Sequence, residues 1–359
     1  MRLDLDMTTD RSILPAGAAE SVRRWLGESW SARPLAGDAS VRAYYRIERD
    51  DGSTFVLTWY PEEVRSQMKR FLDAYRAVSK HAYVPRVIEY DEAAMLQQDV
   101  GDRTLFDLLQ EERAEGIRWY RKAITLLVYF QKAGEVGINE PFTAEFFANE
   151  LEMSREYYAE RLMGLTRDRS LALRPILRNL AENISRHPYV LCHRDYHGQN
   201  IHIFKDKLYL LDYQDMRSGP DTYDLASLLR DRGVARILGD ETELGLVDYY
   251  SDWRVHGFPA RSPLPEGERR SMRRRYFETL LQRSIKILGT FARQPIERGL
   301  LRYLAFIPHA LESVRRCLDE LPEYGALSTL LPMEFSIEEA RARVERMRHG
   351  STHDHAPAR

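Results

Sequence analysis

The chain has 359 residues, which leaves room for two domains of ordinary size, each with its own hydrophobic core. Its 43% hydrophobic and 30% charged composition and its net charge of −2 exclude a membrane-spanning protein and give no global field that attracts nucleic acid or anionic lipid, so neither is an expected partner. Only two cysteines are present, and the opening MRLDLDMTTDRS lacks the apolar core of a signal peptide, so we expect a cytoplasmic location.

Both ends of the chain are polar and short of core-forming side chains. We therefore expect residues 1–12 and 350–359 to be flexible. Between them the character of the sequence changes once, near residue 100. This change predicts a first domain over residues 13–100 and a second over residues 101–349.

The first domain has the composition of a small sheet with one helix. RAYYRIER and STFVLTWY are rich in β-branched and aromatic residues, and the turn signal Asp50-Asp51-Gly52 between them predicts an antiparallel hairpin. The segment EEVRSQMKRFLDAYRAV after Pro61 has its apolar residues at helical spacing and predicts an amphipathic helix. PRVIEYD and AAMLQQDV predict two more short strands.

The second domain is predicted to be mainly helical. TLFDLLQEE, IRWYRKAITLLVYFQKA, FTAEFFANELEMSREYYAERL and SLALRPILRNLAENISR are periodic and almost free of internal glycine or proline. The exception is YVLCHRDYHGQNIHIFKDKLYLLDYQD, which contains a polar loop followed by a second predicted hairpin.

Three polar residues of this exceptional segment have a spacing that suits phosphoryl transfer. Asp195 and Asn200 lie on the loop, and Asp212 ends the second strand of the hairpin. A loop, a short hairpin and a return of the chain bring these residues to one rim. There the oxygens of Asn200 and Asp212 can hold Mg²⁺ while Asp195 faces an incoming hydroxyl group.

The loop fits the spacing of the H-R-D-L-x-x-x-N kinase catalytic loop. His193, Arg194, Asp195 and Asn200 match it, and Tyr196 stands where leucine is usual. Two alternatives stay open: a surface loop with chance polar groups, and a metallohydrolase. In the second alternative His193, Asp195 and His197 alternate along the chain and would hold Zn²⁺ or Mn²⁺.

The length of the segment after Asp212 argues against a protein kinase. A protein kinase has a long activation loop that ends in an A-P-E element, whereas here Asp212 continues through QDMRSGPDTYDLASLL directly into a predicted helix. The sequence therefore predicts a small-molecule substrate.

Several segments together resemble the aminoglycoside phosphotransferase/choline kinase family. They are HRDYHGQN, LLDYQDMRSGPDTYDLASLLRD and LAGDASVRAYYRI. QQDVGDRTL and LQRSIKILGTFARQ resemble more narrowly its N-acetylmuramate/N-acetylglucosamine anomeric (C1) kinases of cell-wall recycling. The resemblance implies an α+β, bilobal, protein-kinase-like fold with a small β-rich N-lobe and a larger, mainly helical C-lobe. It also implies ATP and Mg²⁺ as cofactors and an amino sugar as substrate.

The resemblance implies roles for individual residues. Asp195 would be the catalytic base, and Asn200 and Asp212 would hold Mg²⁺. His193 would support the catalytic loop, and Asp224 would brace it from the next helix, although both could equally be buried polar groups with structural roles alone. The residues implied for nucleotide binding are the adenine-side Gln98, Asp99 and Val100, and the phosphate-side Gly37, Asp38 and Ser40.

One position departs from the kinase pattern. Thr58 lies about where many kinases have the lysine that reaches the nucleotide phosphates, and Trp59 follows where the sugar kinases usually have aspartate. Arg42 or Arg46 would then have to reach the phosphates. A protein that binds nucleotide with little or no turnover remains an alternative.

The acceptor side is less determined by the sequence. Asp215 and Arg217 follow the metal-binding aspartate closely, and their carboxylate and guanidinium groups suit sugar hydroxyls and an acidic substituent. Glu150 is a further candidate sugar contact. The alternatives are a helix-flanking salt bridge for Arg217 and a solvated helix face for Glu150. Choline, homoserine or an aminoglycoside would remain possible acceptors.

Overall fold

A computed structural model describes residues 13–35, 41–134, 137–231, 233–256 and 264–350 of the chain. By their packing the residues divide into two units. The first is Met1–Asp107 with Gln199–Asp215, and the second is Leu108–Gly198 with Met216–Arg359.

The first unit is built on a five-stranded antiparallel sheet with the order β1-β2-β3-β5-β4. The strands are β1 Trp30–Leu35, β2 Ala43–Arg49, β3 Thr54–Trp59, β4 Val87–Tyr90 and β5 Ala94–Gln98. The predicted hairpin is confirmed, since β2 and β3 pair antiparallel with Tyr44 opposite Thr58. Gly52 takes a φ of +79° in the connecting turn, a conformation that costs glycine little.

Two helices belong to the first unit, α1 Ala16–Leu26 and α2 Arg65–Val78. A short 3₁₀ turn, Glu62–Val64, precedes α2, and the predicted amphipathic helix is confirmed. The sequence interpretation missed α1 and β1. The face of α1 that packs on the sheet presents the small residues Ala18 and Val22, which join Ile47 and Leu57 in one hydrophobic cluster.

A second hairpin completes the first unit. Its strands, β7 Ile201–Phe204 and β8 Lys207–Leu210, pair antiparallel as predicted. Lys205 and Asp206 both have positive φ, at +49° and +57°, as a tight two-residue turn requires. The Ile203 amide donates to the carbonyl of Arg103 at 2.8 Å, and the Leu210 amide donates to that of Tyr83 at 2.9 Å. These bonds join residues 199–215 to the first unit, although the sequence prediction placed them in the second domain.

The second unit is mostly helical, as predicted. Its helices, with α3 at the junction, are α3 Leu105–Glu111, α4 Arg113–Gln131, α5 Ala144–Ser154, α6 Arg167–Leu171, α7 Arg174–Ile184, α8 Tyr223–Arg230, α9 Val234–Leu238, α10 Asp240–His256, α11 Glu266–Arg298, α12 Ile307–Glu320, α13 Leu327–Leu330 and α14 Ile337–Gly350. A π-helical stretch, Arg155–Leu162, continues α5, and 3₁₀ turns lie at Leu301–Phe306 and Pro322–Tyr324. Strands β6 Tyr189–Cys192 and β9 Arg217–Pro220 form a small antiparallel ladder.

The 33-residue helix α11 crosses α5 at very close range. A Cβ atom on Gly289 would lie 2.5 Å from Oγ of Ser154, so only glycine permits this approach. The Ser154 hydroxyl donates to the carbonyl of Lys286 at 3.3 Å at the same crossing. The side chains of α11 near this point are therefore held on a rigid support. Across the part of the chain that the structure describes, no helix is both long and apolar enough to cross a lipid bilayer.

Candidate active site

The first unit contains a cavity of about 490 Å³, a size suited to a small organic ligand. One face of β2 and β3, the segment after β5, and the ends of the β7–β8 hairpin line it. The lining residues are Leu35, Arg42, Tyr44, Arg46, Val56, Thr58, Tyr60, Phe71, Pro85, Gln97, Gln98, Asp99, Val100, Gly101, Asp102, Asn200, His202, Leu211, Asp212, Tyr213 and Gln214.

The segment predicted to meet adenine forms one wall of this cavity. Gln98, Asp99 and Val100 all line it, and the Gln98 amide donates to the carbonyl of Arg86 at 2.8 Å. Gly101 turns the chain with a φ of +72°, and its amide donates to Oδ1 of Asp99 at 2.9 Å. The wall is therefore a fixed turn. The phosphate-side residues Gly37, Asp38 and Ser40 lie outside the described residues.

The two arginines of this cavity have different partners. Arg46 is buried; its Nε lies 2.6 Å from Oδ2 of Asp99, and its Nη1 lies 2.7 Å from Oδ2 of Asp102. Hydrogen bonding to Asp102 is the largest cause that raises the Arg46 pKa above its ordinary value. Arg42 instead places Nη2 3.6 Å from Oδ1 of Asp212.

Asn200 and Asp212, the predicted metal ligands, lie at the open end of the β7–β8 hairpin. The Leu211 amide donates to the carbonyl of Asn200 at 2.9 Å, one residue beyond the last pair of the ladder, and both predicted ligands line the cavity. Asp212 has a φ of +64°, which is uncommon for a residue other than glycine and often marks a functional constraint. An amide oxygen beside a half-exposed carboxylate is a donor set that suits a hard divalent cation.

In the second unit, Asp224 holds the loop that follows β6. Its buried carboxylate accepts the His193 amide at 2.6 Å and the Arg194 amide at 2.9 Å. Burial raises the Asp224 pKa, and these hydrogen bonds partly oppose that rise. Arg194 has a φ of +79°, so the loop bends sharply just before Asp195. The family resemblance implies that Asp224 braces this loop, and these two hydrogen bonds are the contacts through which it would do so.

Tyr196, which replaces the usual leucine, is also buried. Its hydroxyl donates to the carbonyl of Ala123 in α4 at 2.7 Å, and its ring centroid lies 5.8 Å from that of His193. The His193 ring is fully buried, and its centroid lies 5.9 Å from that of Phe130. The loop is therefore fixed on both sides of Asp195.

Asp195 itself is exposed and faces several positive charges. The protein atoms crowded around its carboxylate raise its pKa, but the charges of Lys286, Arg283 and Arg194 outweigh that effect and hold the pKa below its ordinary value. Arg283 also donates to the carbonyl of Arg194 at 3.3 Å. Sequence reasoning missed Lys286 and Arg283; their signal was two cations three residues apart, the spacing of one face of a helix.

The metallohydrolase alternative is not supported. Within the described ranges, no three side chains of His, Cys, Asp or Glu come together as a metal-binding group. His193, Asp195 and His197 lie in those ranges and do not form one.

The predicted acceptor residues divide between the two units. In the first unit, Asp215 lies 3.6 Å from Arg70. In the second unit, Arg217 places its guanidinium 5.1 Å from the ring centre of Phe142 and 4.9 Å from that of Phe146.

Glu150, the third predicted acceptor residue, is largely buried. Its Oε2 accepts from Nε2 of Gln282 at 2.8 Å, and its Oε1 lies 3.6 Å from Nζ of Lys286. The alternative of a solvated helix face for Glu150 is therefore wrong.

Solved structures of small-molecule kinases share this fold. A Plasmodium vivax ethanolamine kinase aligns with a TM-score of 0.55 at 12% identity, over 88% of this chain and 86% of its own. An amicoumacin kinase, solved in complex with AMP-PNP and Ca²⁺, aligns with a TM-score of 0.54 at 14% identity, over 85% of this chain and 90% of its own. The predicted α+β, protein-kinase-like fold class is confirmed.

Sequence comparison assigns the family. The N-acetylmuramate/N-acetylglucosamine kinase of Neisseria meningitidis serogroup B is 28% identical over 326 residues, which cover 86% of this chain and 94% of that relative. The family model described as "Phosphotransferase enzyme family" matches residues 31–262. The chain belongs to the phosphotransferase enzyme family, and the predicted resemblance is confirmed at that level.

Proposed function

We propose that this phosphotransferase is an ATP-dependent kinase that phosphorylates the anomeric hydroxyl of an N-acetylated amino sugar, N-acetylmuramate or N-acetylglucosamine. The observation that carries the proposal is the exposed Asp195 carboxylate, which nearby cations keep ionised on a loop braced by Asp224. Support for the sugar comes from the Neisseria relative, an N-acetylmuramate/N-acetylglucosamine kinase, which this chain matches over 94% of its length.

The nucleotide binds in the cavity of the first unit. Adenine lies against the wall formed by Gln98, Asp99 and Val100, and the phosphates extend toward Asn200 and Asp212. Those two residues would hold a divalent cation such as Mg²⁺. The AMP-PNP and Ca²⁺ of the amicoumacin kinase complex support a nucleotide with a divalent ion. When bound, the cation supplies positive charge that draws electrons from the terminal phosphate.

Asp195 accepts the proton of the sugar hydroxyl. The hydroxyl oxygen forms a bond to the γ-phosphorus, the bond from that phosphorus to the β–γ bridging oxygen breaks, and ADP leaves. The anomeric hydroxyl is more acidic than an ordinary alcohol, so a carboxylate of lowered pKa is a sufficient base. Only four residues separate Asp195 from Asn200 in the sequence, which suits a base that acts on a group near the nucleotide phosphate.

Arg217 and Glu150 contact the acceptor in this proposal, and Asp215 contributes a hydroxyl-accepting carboxylate. Arg217 is held over two aromatic rings, so its guanidinium is ordered before an acid group of the sugar arrives. Glu150 is oriented by Gln282 and Lys286, which leaves it poorly suited to a cationic acceptor such as choline because Lys286 already offsets its charge.

The proposal is tested by measuring ADP release with a panel of acceptors. N-acetylmuramate, N-acetylglucosamine, N-acetylgalactosamine, glucose, choline, homoserine and kanamycin are compared at equal concentration. We expect ADP with the first two sugars and background rates with choline and kanamycin. Turnover of choline, homoserine or kanamycin alone would contradict the acceptor assignment. ATP binding without ADP release from any acceptor would favour a nucleotide-binding protein with little turnover, the outcome that Thr58 would explain.

A further inference from the structure

The proposed nucleotide cavity lacks a lysine where kinases usually supply one. Thr58 occupies that position on β3; it is buried, and its hydroxyl donates to Oε1 of Gln97 at 3.3 Å. A neutral hydroxyl cannot offset the charge of nucleotide phosphates. Among the described residues that line the cavity, the arginines and lysines are Arg42 and Arg46.

Arg46 cannot take this role without losing its existing partners. Its guanidinium makes close contacts with the carboxylates of Asp99 and Asp102, at 2.6–3.0 Å. Its side chain is only 8% exposed, and that of Asp99 is 6% exposed. Two carboxylates against one guanidinium leave a negative surplus, so this cluster repels a phosphate. Arg46 therefore fixes the turn that follows β5.

Arg42 lies one residue before β2, on the side that faces the cavity. Ala43 pairs with Trp59, so Arg42 lies opposite Tyr60 and diagonal to Thr58, a separation of about 7–8 Å between Cα atoms. The guanidinium hydrogen-bonds the Tyr60 hydroxyl, lies 5.7 Å from the ring centre of Tyr44, and reaches 3.6 Å from Oδ1 of Asp212. Its charge is therefore held next to the proposed metal ligand and within reach of the position that Thr58 leaves neutral.

We propose that Arg42 supplies the positive charge that binds the phosphates of the nucleotide, in place of the missing lysine. The inference rests on the proposed function, because it assumes that a nucleotide occupies this cavity. Without nucleotide the guanidinium lies against the half-exposed Asp212, a weak pair that a phosphate can replace with two parallel hydrogen bonds. With the Arg42 guanidinium on a phosphate, the Asp212 carboxylate would be left to hold the cation.

The test is calorimetric binding of adenosine, AMP, ADP and ATP to Arg42→Met, with EDTA present for the first three so that loss of a metal ligand cannot explain the result. We expect ADP and ATP to bind about ten- to a hundredfold more weakly and adenosine to bind as in the wild type. Arg49→Met is the matched control. Arg49 is the last residue of β2 and pairs with exposed Asp51 outside the cavity.

A positive charge introduced at a second position tests whether Arg42→Met acts through the loss of charge. Adding Thr58→Lys to Arg42→Met places an ammonium diagonally across β2 and β3, so we expect it to restore at least tenfold of the lost ATP affinity. Arg42→Gln, which can still hydrogen-bond Tyr60, covers the case in which Arg42→Met does not fold, and carries the same expectation.

The inference is overturned if Arg42→Met and Arg42→Gln bind ADP and ATP as well as Arg49→Met does, or if they lose adenosine affinity to the same degree as ATP affinity. In either case the wild-type protein still binds ATP and the proposed function stands. If the wild-type protein binds none of the four compounds, the proposed function and this inference both fail.

Discussion

The two carboxylates proposed to act in catalysis have contrasting surroundings. Asp195, in the second unit, faces three cations, two of them on the long helix α11, which a glycine crossing holds tightly against α5. Asp212, in the first unit, is half exposed and has one arginine at 3.6 Å. The contrast fits the proposed roles. A base must be ionised before it can accept the hydroxyl proton, whereas a metal ligand needs a cationic partner that it can exchange.

The largest expected effect is at the base. Asp195→Asn keeps the size of the side chain but cannot accept the hydroxyl proton, so we expect kcat to fall by about a thousandfold or more. ATP affinity should change less than twofold. The matched control is Asp206→Asn, which removes a carboxylate from the turn between β7 and β8, where asparagine tolerates the positive φ. Retained turnover in Asp195→Asn would show that the base is wrongly identified.

A smaller, metal-dependent effect is expected at the other carboxylate. Asp212→Asn removes the charged ligand, so the concentration of Mg²⁺ that gives half-maximal rate should rise by about a hundredfold. Titration of the rate with Mg²⁺ at saturating ATP measures this shift, and EDTA should abolish turnover in the wild type. An unchanged Mg²⁺ requirement in Asp212→Asn would remove this residue from the metal site.

Loss of the hydrogen bonds between Asp224 and the catalytic loop should appear mainly as a loss of stability. Asp224→Ala leaves the buried amides of His193 and Arg194 without their acceptor, which should lower the free energy of unfolding by about 2–5 kcal/mol. Urea denaturation followed by circular dichroism measures the change. Asp224→Asn keeps one acceptor oxygen, so its free energy of unfolding should lie between those of the wild type and Asp224→Ala. Equal stability of the wild type and Asp224→Ala would argue against the bracing role.

The smallest expected effect concerns the positive charges around Asp195. Its pKa is lowered by Lys286, Arg283, Arg194 and His193, so activity is present at higher pH and is lost as the pH falls through that lowered pKa. Lys286→Met should raise the pKa and move the acidic limb of the kcat/KM profile to higher pH, with only a few-fold loss at neutral pH. Lys286→Arg should return the acidic limb to its wild-type pH. Lys122→Met, which changes an exposed lysine, is the control. An acidic limb that does not move would show that Lys286 does not act on Asp195.

Local sequence signals predicted the parts of the molecule that depend on local chemistry. The β2–β3 hairpin follows from alternating residues around Asp50-Asp51-Gly52, and α2 follows from its apolar spacing. The spacing from His193 to Asn200 identified the loop. These features need no knowledge of distant residues.

Features that depend on distant residues were missed. Helix α1 gains its apolar partner only when the sheet has formed. The β6–β9 ladder pairs Cys192 with Arg217 across a long connection. The choice between Arg42 and Arg46 depends on Asp99 and Asp102, more than fifty positions along the chain. The charge that Lys286 places near Asp195 depends on how α11 packs, which the sequence of that helix alone does not specify.

The position of the new phosphate on the sugar distinguishes phosphorylation of the anomeric hydroxyl from phosphorylation of any other hydroxyl. N-acetylglucosamine and N-acetylmuramate, each labelled with ¹³C at C1, are incubated separately with the enzyme, ATP and Mg²⁺, and each product is followed by ³¹P NMR. We predict one new phosphate ester resonance that is split by coupling to the labelled carbon and that is absent with Asp195→Asn. A phosphate ester without that coupling, or no ester from either N-acetylated sugar, would contradict it.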